Sequence, residues 1–483
     1  MPKVRFAGLA LAGAMLAGCA GSGGDRPAET PYAWTQQGPE GEVSLRVLVP
    51  GDAPCPVARV DGLPVPMRLR AAASAGNAAG NPAHAPDMKV TACELPLPAG
   101  GREVSVGDRH LRLTAGLPRR IVVVGDTGCR IKVPAAGRGD PIQDCADPAA
   151  WPWPSIASAA ADLRPDLVIH VGDYHYREYC DDAARCAPLH RAGTTVGYGW
   201  DGWQADFFAP ARPLLEAAPW VFVRGNHENC DRAGEGWMRF LSHLPYRACP
   251  DQKYKTPSRS VLGNNGTADA YRIDFGEVLG LAVADNSGHE DYRPLAASAA
   301  DLATFRATLG VLRRQPAPAN LWLLSHRPIW YDLLRPESEP NAFQAALREA
   351  APATLQLAFS GHQHAFRTLA FADGADPVHY PLGRPAQVIV GGGGTQLEAM
   401  DPDSPLYEGT SGPGSREERG PGGRLFDGVS AANGLLLNRH GFLFLERDGG
   451  GWTGTVRDAR GAAIAPCRIG DGRKELACGF PAR

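Results

Sequence analysis

Residues 118–483 of this 483-residue chain read as an α/β domain, and residues 31–117 as a small β-sandwich in front of it. Two textures separate them. From residue 120 onward, apolar runs of strand length alternate with segments of helical period, as in a sheet covered by helices. Before that point, short alternating stretches lie between Pro- and Gly-rich turns, which suits antiparallel strands with one buried face. The length exceeds what one ordinary hydrophobic core organises, so it accommodates both units.

In the first unit, "EVSLRVLVP" and "GREVSVGDRHLRLTAG" are the strand-forming stretches, and "AAASAGNAAGNPAHAP" interrupts them as a loop-forming insertion. In the second, the predicted strands are "RIVVV" (120–124), "DLVIHV" (166–171), "WVFVR" (220–224), "VLGLAVA" (278–284), "LWLLS" (321–325), "LQLAFS" (355–360) and "QVIVG" (387–391). Between them, "DLATFRATLGVLRR" places Leu302, Phe305, Leu309 and Leu312 on one helical face. "WPSIASAAADL" and "FFAPARPLLEAA" also carry helical patterns. The span 401–424 has too few apolar residues to pack and reads as a long loop. "GFLFLERDGGGWTGTVRDARG" returns to strand alternation around a Gly-rich turn.

Residues 1–19 have the layout of an export signal, with Lys3 and Arg5, an apolar run from Phe6 to Leu16, and small residues before Cys19. The "LAGC" sequence resembles a bacterial lipobox. That implies a lipid on Cys19 as the membrane attachment, a flexible tether over 20–30, and, with Ala20 following, outer-membrane sorting. Without Cys19, ten of the eleven cysteines remain, an even number suited to pairing in an oxidising compartment. Proximity in sequence suggests Cys55–Cys93, Cys129–Cys145, Cys180–Cys186, Cys230–Cys249 and Cys467–Cys478. The formal net charge of -3 and the lack of any block of like charge give no indication of a nucleic-acid partner.

Five apolar runs lead directly into residues able to bind a metal: "GDTG" with Asp126, "GDYHY" with Asp173 and Tyr176, "GNHE" with Asn226 and His227, "HRP" with His326, and "GHQH" with His362 and His364. In open α/β sheets, ligands bind beyond the carboxyl ends of the strands, so five such ends can meet at one crevice. A cluster of that composition is costly to bury without cations. Carboxylate, phenolate, amide and imidazole donors suit Fe, Zn or Mn.

The series GDxG, GDxxY, GNHE, an apolar xxH and GHxH resembles the motif set of the purple acid phosphatases, within the calcineurin-like metallophosphoesterases. The resemblance covers roughly residues 120–450 and implies a four-layer αββα catalytic domain, with the N-terminal β-sandwich that plant members carry. It also implies two metal ions, Fe(III) plus Fe(II), Zn(II) or Mn(II). Asp126, Asp173, Tyr176 and His364 would surround one of them, and Asp173, Asn226, His326 and His362 the other, with Asp173 bridging. Such a pair can clamp the attacking and leaving oxygens of an in-line phosphoryl displacement. His227 is then the expected general acid, and Arg130, His175, Arg177 and Arg327 are candidate contacts to a small phosphorylated substrate.

One departure is informative. Most calcineurin-like enzymes carry Asp-x-His in the first motif, and here the third residue is Gly128. Tyr176 supplies the missing donor, a hard anionic phenolate suited to Fe(III). The expected function is therefore an exported phosphomonoesterase of the acid phosphatase type. The alternatives are a phosphodiesterase acting on nucleotides or lipid head groups, and a non-catalytic surface binding protein that keeps the fold.

Overall fold

The computed structural model describes residues 1, 32–76, 86–97, 103–113, 116–131, 142–178, 194–249, 270–288, 295–330, 340–398, 415–417, 425–426, 429–472 and 474–479. The export-signal and tether residues, Cys19, the Cys180–Cys186 pair and most of the 401–424 span lie outside them.

The N-terminal strands are β1 (Tyr32–Gln37), β2 (Val43–Pro50), β3 (Val57–Val60), β4 (Leu63–Pro66), β5 (Arg68–Ala71), β6 (Val90–Leu97), β7 (Glu103–Val106) and β8 (Arg109–Arg112). They form two facing sheets, β1-β2-β6-β5 and β4-β3-β7-β8. Leu45, Val47, Ala58, Val60, Val104 and Val106 close between them, and Cys55–Cys93 staples the pair. The alternation of the strands explains the other face. Tyr32, Trp34, Leu48 and Ala92 point the opposite way, into a core shared with the helices that follow.

Next come β9 (Arg120–Val124), β10 (Leu167–His170), β11 (Trp220–Phe222), β12 (Tyr271–Phe275), β13 (Leu279–Val283), β14 (Asn320–Leu324), β15 (Leu355–Ser360), β16 (Phe366–Ala370) and β17 (Ala386–Val390). After them run β18 (Ser415–Glu417), β19 (Leu425–Phe426), β20 (Val429–Ser430), β21 (Asn433–Leu437), β22 (Gly441–Arg447), β23 (Gly451–Asp458), β24 (Ala463–Gly470) and β25 (Leu476–Cys478).

One sheet runs β25-β24-β23-β22-β9-β10-β11-β1-β2-β6-β5, so the sandwich continues a sheet of the α/β unit past β11. The other runs β12-β13-β14-β15-β17-β16-β21-β18. Ile121, Val123, Ile169, Trp322, Phe359 and Trp452 fill the space between the two. On the outer faces, Trp153–Asp162, a helical run over 200–215 and Gly234–Phe240 cover the first sheet, while Leu295–Leu309 and Ala342–Ala350 cover the second. This is the expected four-layer αββα arrangement with a small sandwich before it.

The sandwich is also keyed into the α/β unit through the end of Gly234–Phe240. The last carbonyls of a helix lack intrahelical partners, and Arg70 of β5 supplies donors nearby: Nε to Arg239 O at 2.7 Å, and Nη2 to Met238 O, Ser242 O and Leu244 O at 2.8, 3.0 and 2.8 Å. Gln36 of β1 donates to Leu241 O, and Glu94 of β6 pairs with Arg70 at 2.9 Å.

Several readings are refined. The seven predicted strands are β9, β10, β11, β13, β14, β15 and β17, within one or two residues at each end. The terminal hairpin is β22–β23, and Phe305, Leu309 and Leu312 are buried as the helical face requires. A short strand, β18, lies inside the span read as loop and pairs with β21. β12, β16 and Ala342–Ala350 were not anticipated, although Asn341 and Gln344 form a capping box that marks the start of that helix. Four expected disulfides are present among the described residues.

Candidate metal centre

The strands β9, β10 and β15 end where the chain turns sharply, and the backbone there is unusual. Asp126, Asp173 and His362 all adopt φ near +60°, at 57°, 59° and 68°. Left-handed backbone is uncommon outside glycine and is held only where surroundings enforce it, which occurs most often at functional sites. Gly172, at φ 104°, shows why a side chain is excluded beside them: a Cβ there would lie 2.4 Å from His326 Nδ1.

These turns gather two clusters. Around Tyr176, the phenol oxygen lies 2.8 Å from Asp173 Oδ2, 3.1 Å from Asp126 Oδ1 and 2.9 Å from His364 Nε2. Around His326, Nε2 lies 3.0 Å from Asn226 Oδ1 and 3.2 Å from Asp173 Oδ2. One ligand atom each from Asp173, His326 and His362 lies within 4.8 Å of the others. Asp173 belongs to both clusters, as the bridging role requires.

The donor chemistry fits a pair of cations. His326 Nδ1 donates to Val171 O at 2.9 Å and His364 Nδ1 to Gln396 O at 2.8 Å, which leaves each Nε2 as a lone pair aimed inward. One phenol proton then serves three acceptors around Tyr176, and three acceptors face one another around His326. Burial, and next the neighbouring Asp173, push the Asp126 carboxyl well above its ordinary range. Asp173 goes the other way: burial raises it, but His326 and His227 outweigh that and hold it low. Two buried carboxylates this close oppose each other's ionisation, so one gives up its proton well before the other. Tyr176 is likewise pushed up by burial, Asp173 and Asp126, the order that a bound cation reverses.

The remaining predicted residues divide. His227 sits over the Tyr176 ring, with centroids 3.8 Å apart, and its backbone N–H donates to Asp173 Oδ1 at 2.9 Å. Burial first, and Arg232 second, hold its imidazole well below the ordinary range. Arg327 Nη1 lies 3.0 Å from His362 Nε2, and the charge of Arg130 reaches Tyr176, His227 and His364.

The side chains of His175 and Arg177 are not brought to the cluster. Adjacent residues of an extended segment point to opposite sides, so as Tyr176 turns inward its neighbours turn away. The His175 ring is buried against Tyr198 and Trp203 with Nε2 2.9 Å from Gly197 O, and Arg177 pairs with the buried Asp206 at 2.6 Å.

Sequence reasoning passed over three supporting groups. Glu228, the last residue of "GNHE", accepts the backbone N–H groups of Asp173, Tyr174, His175 and Gly225 at 2.9–3.2 Å, and burial with Asp173 pushes it up to about 8. Asn286 fixes the "HRP" turn by accepting from His326 N and Arg327 N. Arg232 lies over His227, with Nη2 2.7 and 2.8 Å from the two ring nitrogens, and pairs with Glu178. Glu228 had a signal in its place inside a motif, and Asn286 in its place within "DNSGHED" (285–291), directly after a predicted strand, a stretch read as shaping the rim; Arg232 had none.

The family model of the calcineurin-like phosphoesterases matches residues 119–366. The chain belongs to this family. No curated protein sequence matches this phosphoesterase. Among solved structures, the purple acid phosphatase PPD1 from yellow lupin (Lupinus luteus) seeds is similar at 16% identity and a TM-score of 0.52, covering 91% of this chain and 74% of that one. PhoD aligns at 11% identity and a TM-score of 0.49, over 94% of this chain and 92% of that one. A dimetal phosphatase from Danio rerio aligns at 12% and 0.35, over 73% and 99%. The fold is similar to that of a purple acid phosphatase, and membership of the calcineurin-like phosphoesterase family supports a metal-dependent phosphoesterase, whose fold implies a dinuclear centre.

Proposed function

We propose that this phosphoesterase is an exported phosphomonoesterase of the acid phosphatase type. The observation that carries the reading is the convergence of Tyr176, Asp126, Asp173 and His364 on one side of the shared Asp173, and of Asn226, His326 and His362 on the other. When bound, two ions, Fe(III) with Fe(II), Zn(II) or Mn(II), supply Lewis-acid activation of water and of the phosphoryl group. The chain's own residues do the rest. Arg130 and Arg327 bring positive charge toward the phosphate, and His227 delivers a proton to the leaving oxygen. Four disulfides and the export-type leader support a site of action outside the cytoplasm, with the lipid on Cys19 as the proposed attachment to the outer membrane. Among the described residues no helix is long and apolar enough to cross a membrane.

The test is turnover by purified protein of known metal content. We expect hydrolysis of a chromogenic phosphomonoester at least about tenfold faster than of the matching diester, since each tenfold is only about 1.4 kcal/mol of barrier. A faster diester reaction overturns the monoester reading, and inactivity with two metals bound assigns a binding role. Asp173→Ala is expected to lose metal and turnover together.

A further inference from the structure

Asp206 lies in a π-helical turn, Gln204–Phe208, and is fully buried. Such turns recur at functional sites, and here the turn aims a carboxylate at both loops that supply the Tyr176 cluster. Oδ1 accepts from Cys129 N at 3.0 Å and Arg177 Nε at 2.6 Å; Oδ2 accepts from Tyr176 N at 2.7 Å and Arg177 N at 3.0 Å. The first loop carries Asp126 and the second carries Asp173 and Tyr176. Gly128 completes the contact, because a Cβ there would lie 2.7 Å from Tyr176 N, 2.8 Å from Tyr174 O and 2.9 Å from Asp206 Oδ2. The first loop can approach this closely only with glycine at position 128.

We propose that Asp206 is the positioning residue for Tyr176, holding the backbone of its loop against that of Asp126 so that the phenol reaches the metal ligands. The proposal rests on the metal-centre reading above. It also accounts for Gly128: the residue that removes one ligand makes room for the clamp that seats its replacement. All four bonds to Asp206 come from donors, two on each oxygen, so neither orientation of an asparagine amide satisfies them. The bridge Cys129–Cys145 and the Trp151 Nε1 bond to Thr127 O brace the first loop, and backbone bonds from Asp126 N to Gly172 O and Thr127 N to Asp173 O join the two loops at their start, so Asp206 adds the side-chain clamp farther along, at Cys129 and Tyr176.

The test is a double-mutant cycle on the protein as isolated, reading the rate of metal loss to excess EDTA by elemental analysis. Asp206→Asn is expected to speed metal loss about tenfold or more in the wild-type background, the usual size of such support. In the Tyr176→Phe background the same change is expected to add less than about twofold, because its target is gone. Gly128→Ala serves as a second variant, with the same pattern expected. Equal fold-changes in both backgrounds, or none in either, overturn the proposal, as does failure of both variants to fold in both backgrounds, which assigns Asp206 to folding alone. Asp173→Ala runs alongside. If it keeps its metal, the metal-centre reading falls; if it loses metal while Asp206→Asn keeps it, only the role of Asp206 falls.

Discussion

Tyr176 shows how a neighbour decides what a side chain is for. Its phenol is buried and faces two carboxylates and an imidazole, an arrangement that holds the proton on the oxygen until a cation arrives. With Fe(III) bound, a phenolate gives a visible charge-transfer band, and Tyr176→Phe is expected to abolish it while leaving the far-ultraviolet circular dichroism unchanged. A fully active, colourless wild-type protein would instead assign the site to other metals. The seven metal-ligand candidates were legible in the sequence because each follows a strand-length apolar run. Glu228 was visible only as the last residue of "GNHE" and Asp206 not at all, since their partners are mainly backbone N–H groups in remote loops. No side-chain pattern marks such contacts.

At the scale of elements, strand positions were readable because their burial is nearly continuous, as in β9 and β15, where every interior residue is covered. β12 carries Arg272 and Asp274, and β16 carries Arg367 and Thr368, which broke their apolar runs and hid them. Their guanidiniums are nonetheless buried. The same holds for Arg70, whose role depends on a helix far along the chain. Arg70→Ala leaves the carbonyls of Met238, Arg239 and Leu244 without this donor and Glu94 without its closest partner. The expected cost is about 3–5 kcal/mol, the range for breaking a buried, hydrogen-bonded ion pair, read as a lower urea midpoint at unchanged slope.

For the whole molecule, acid stability is the accessible quantity. Burial, with Arg46 and Arg70 adding to it, lowers His243 to about 4, and burial lowers His440 to about 4 against the bond that its Nδ1 donates to Gly392 O. An unfolded histidine titrates near 6.5. Between about 6.5 and 4 the unfolded chain therefore binds protons that the native protein refuses, so stability falls as pH drops through that window and levels off below it. Each histidine contributes a loss on the order of 1–3 kcal/mol. Replacing both with Gln is expected to flatten the difference between unfolding midpoints at pH 7 and pH 4.5. An unchanged difference would show that other groups govern the acid limb.

The continuation of the sheet from β11 into β1 also governs how the protein meets its own copies. A parallel strand with a bare flank offers unpaired N–H and C=O groups to any passing chain. Here β1 occupies that flank, and Trp34 and Tyr32 cover the aromatic surface beside it. The N-terminal sandwich thus acts as a guard against self-association. A chain starting at residue 118 would expose the flank and the aromatic face together, and would enter strand-to-strand aggregates before its active site could be assayed.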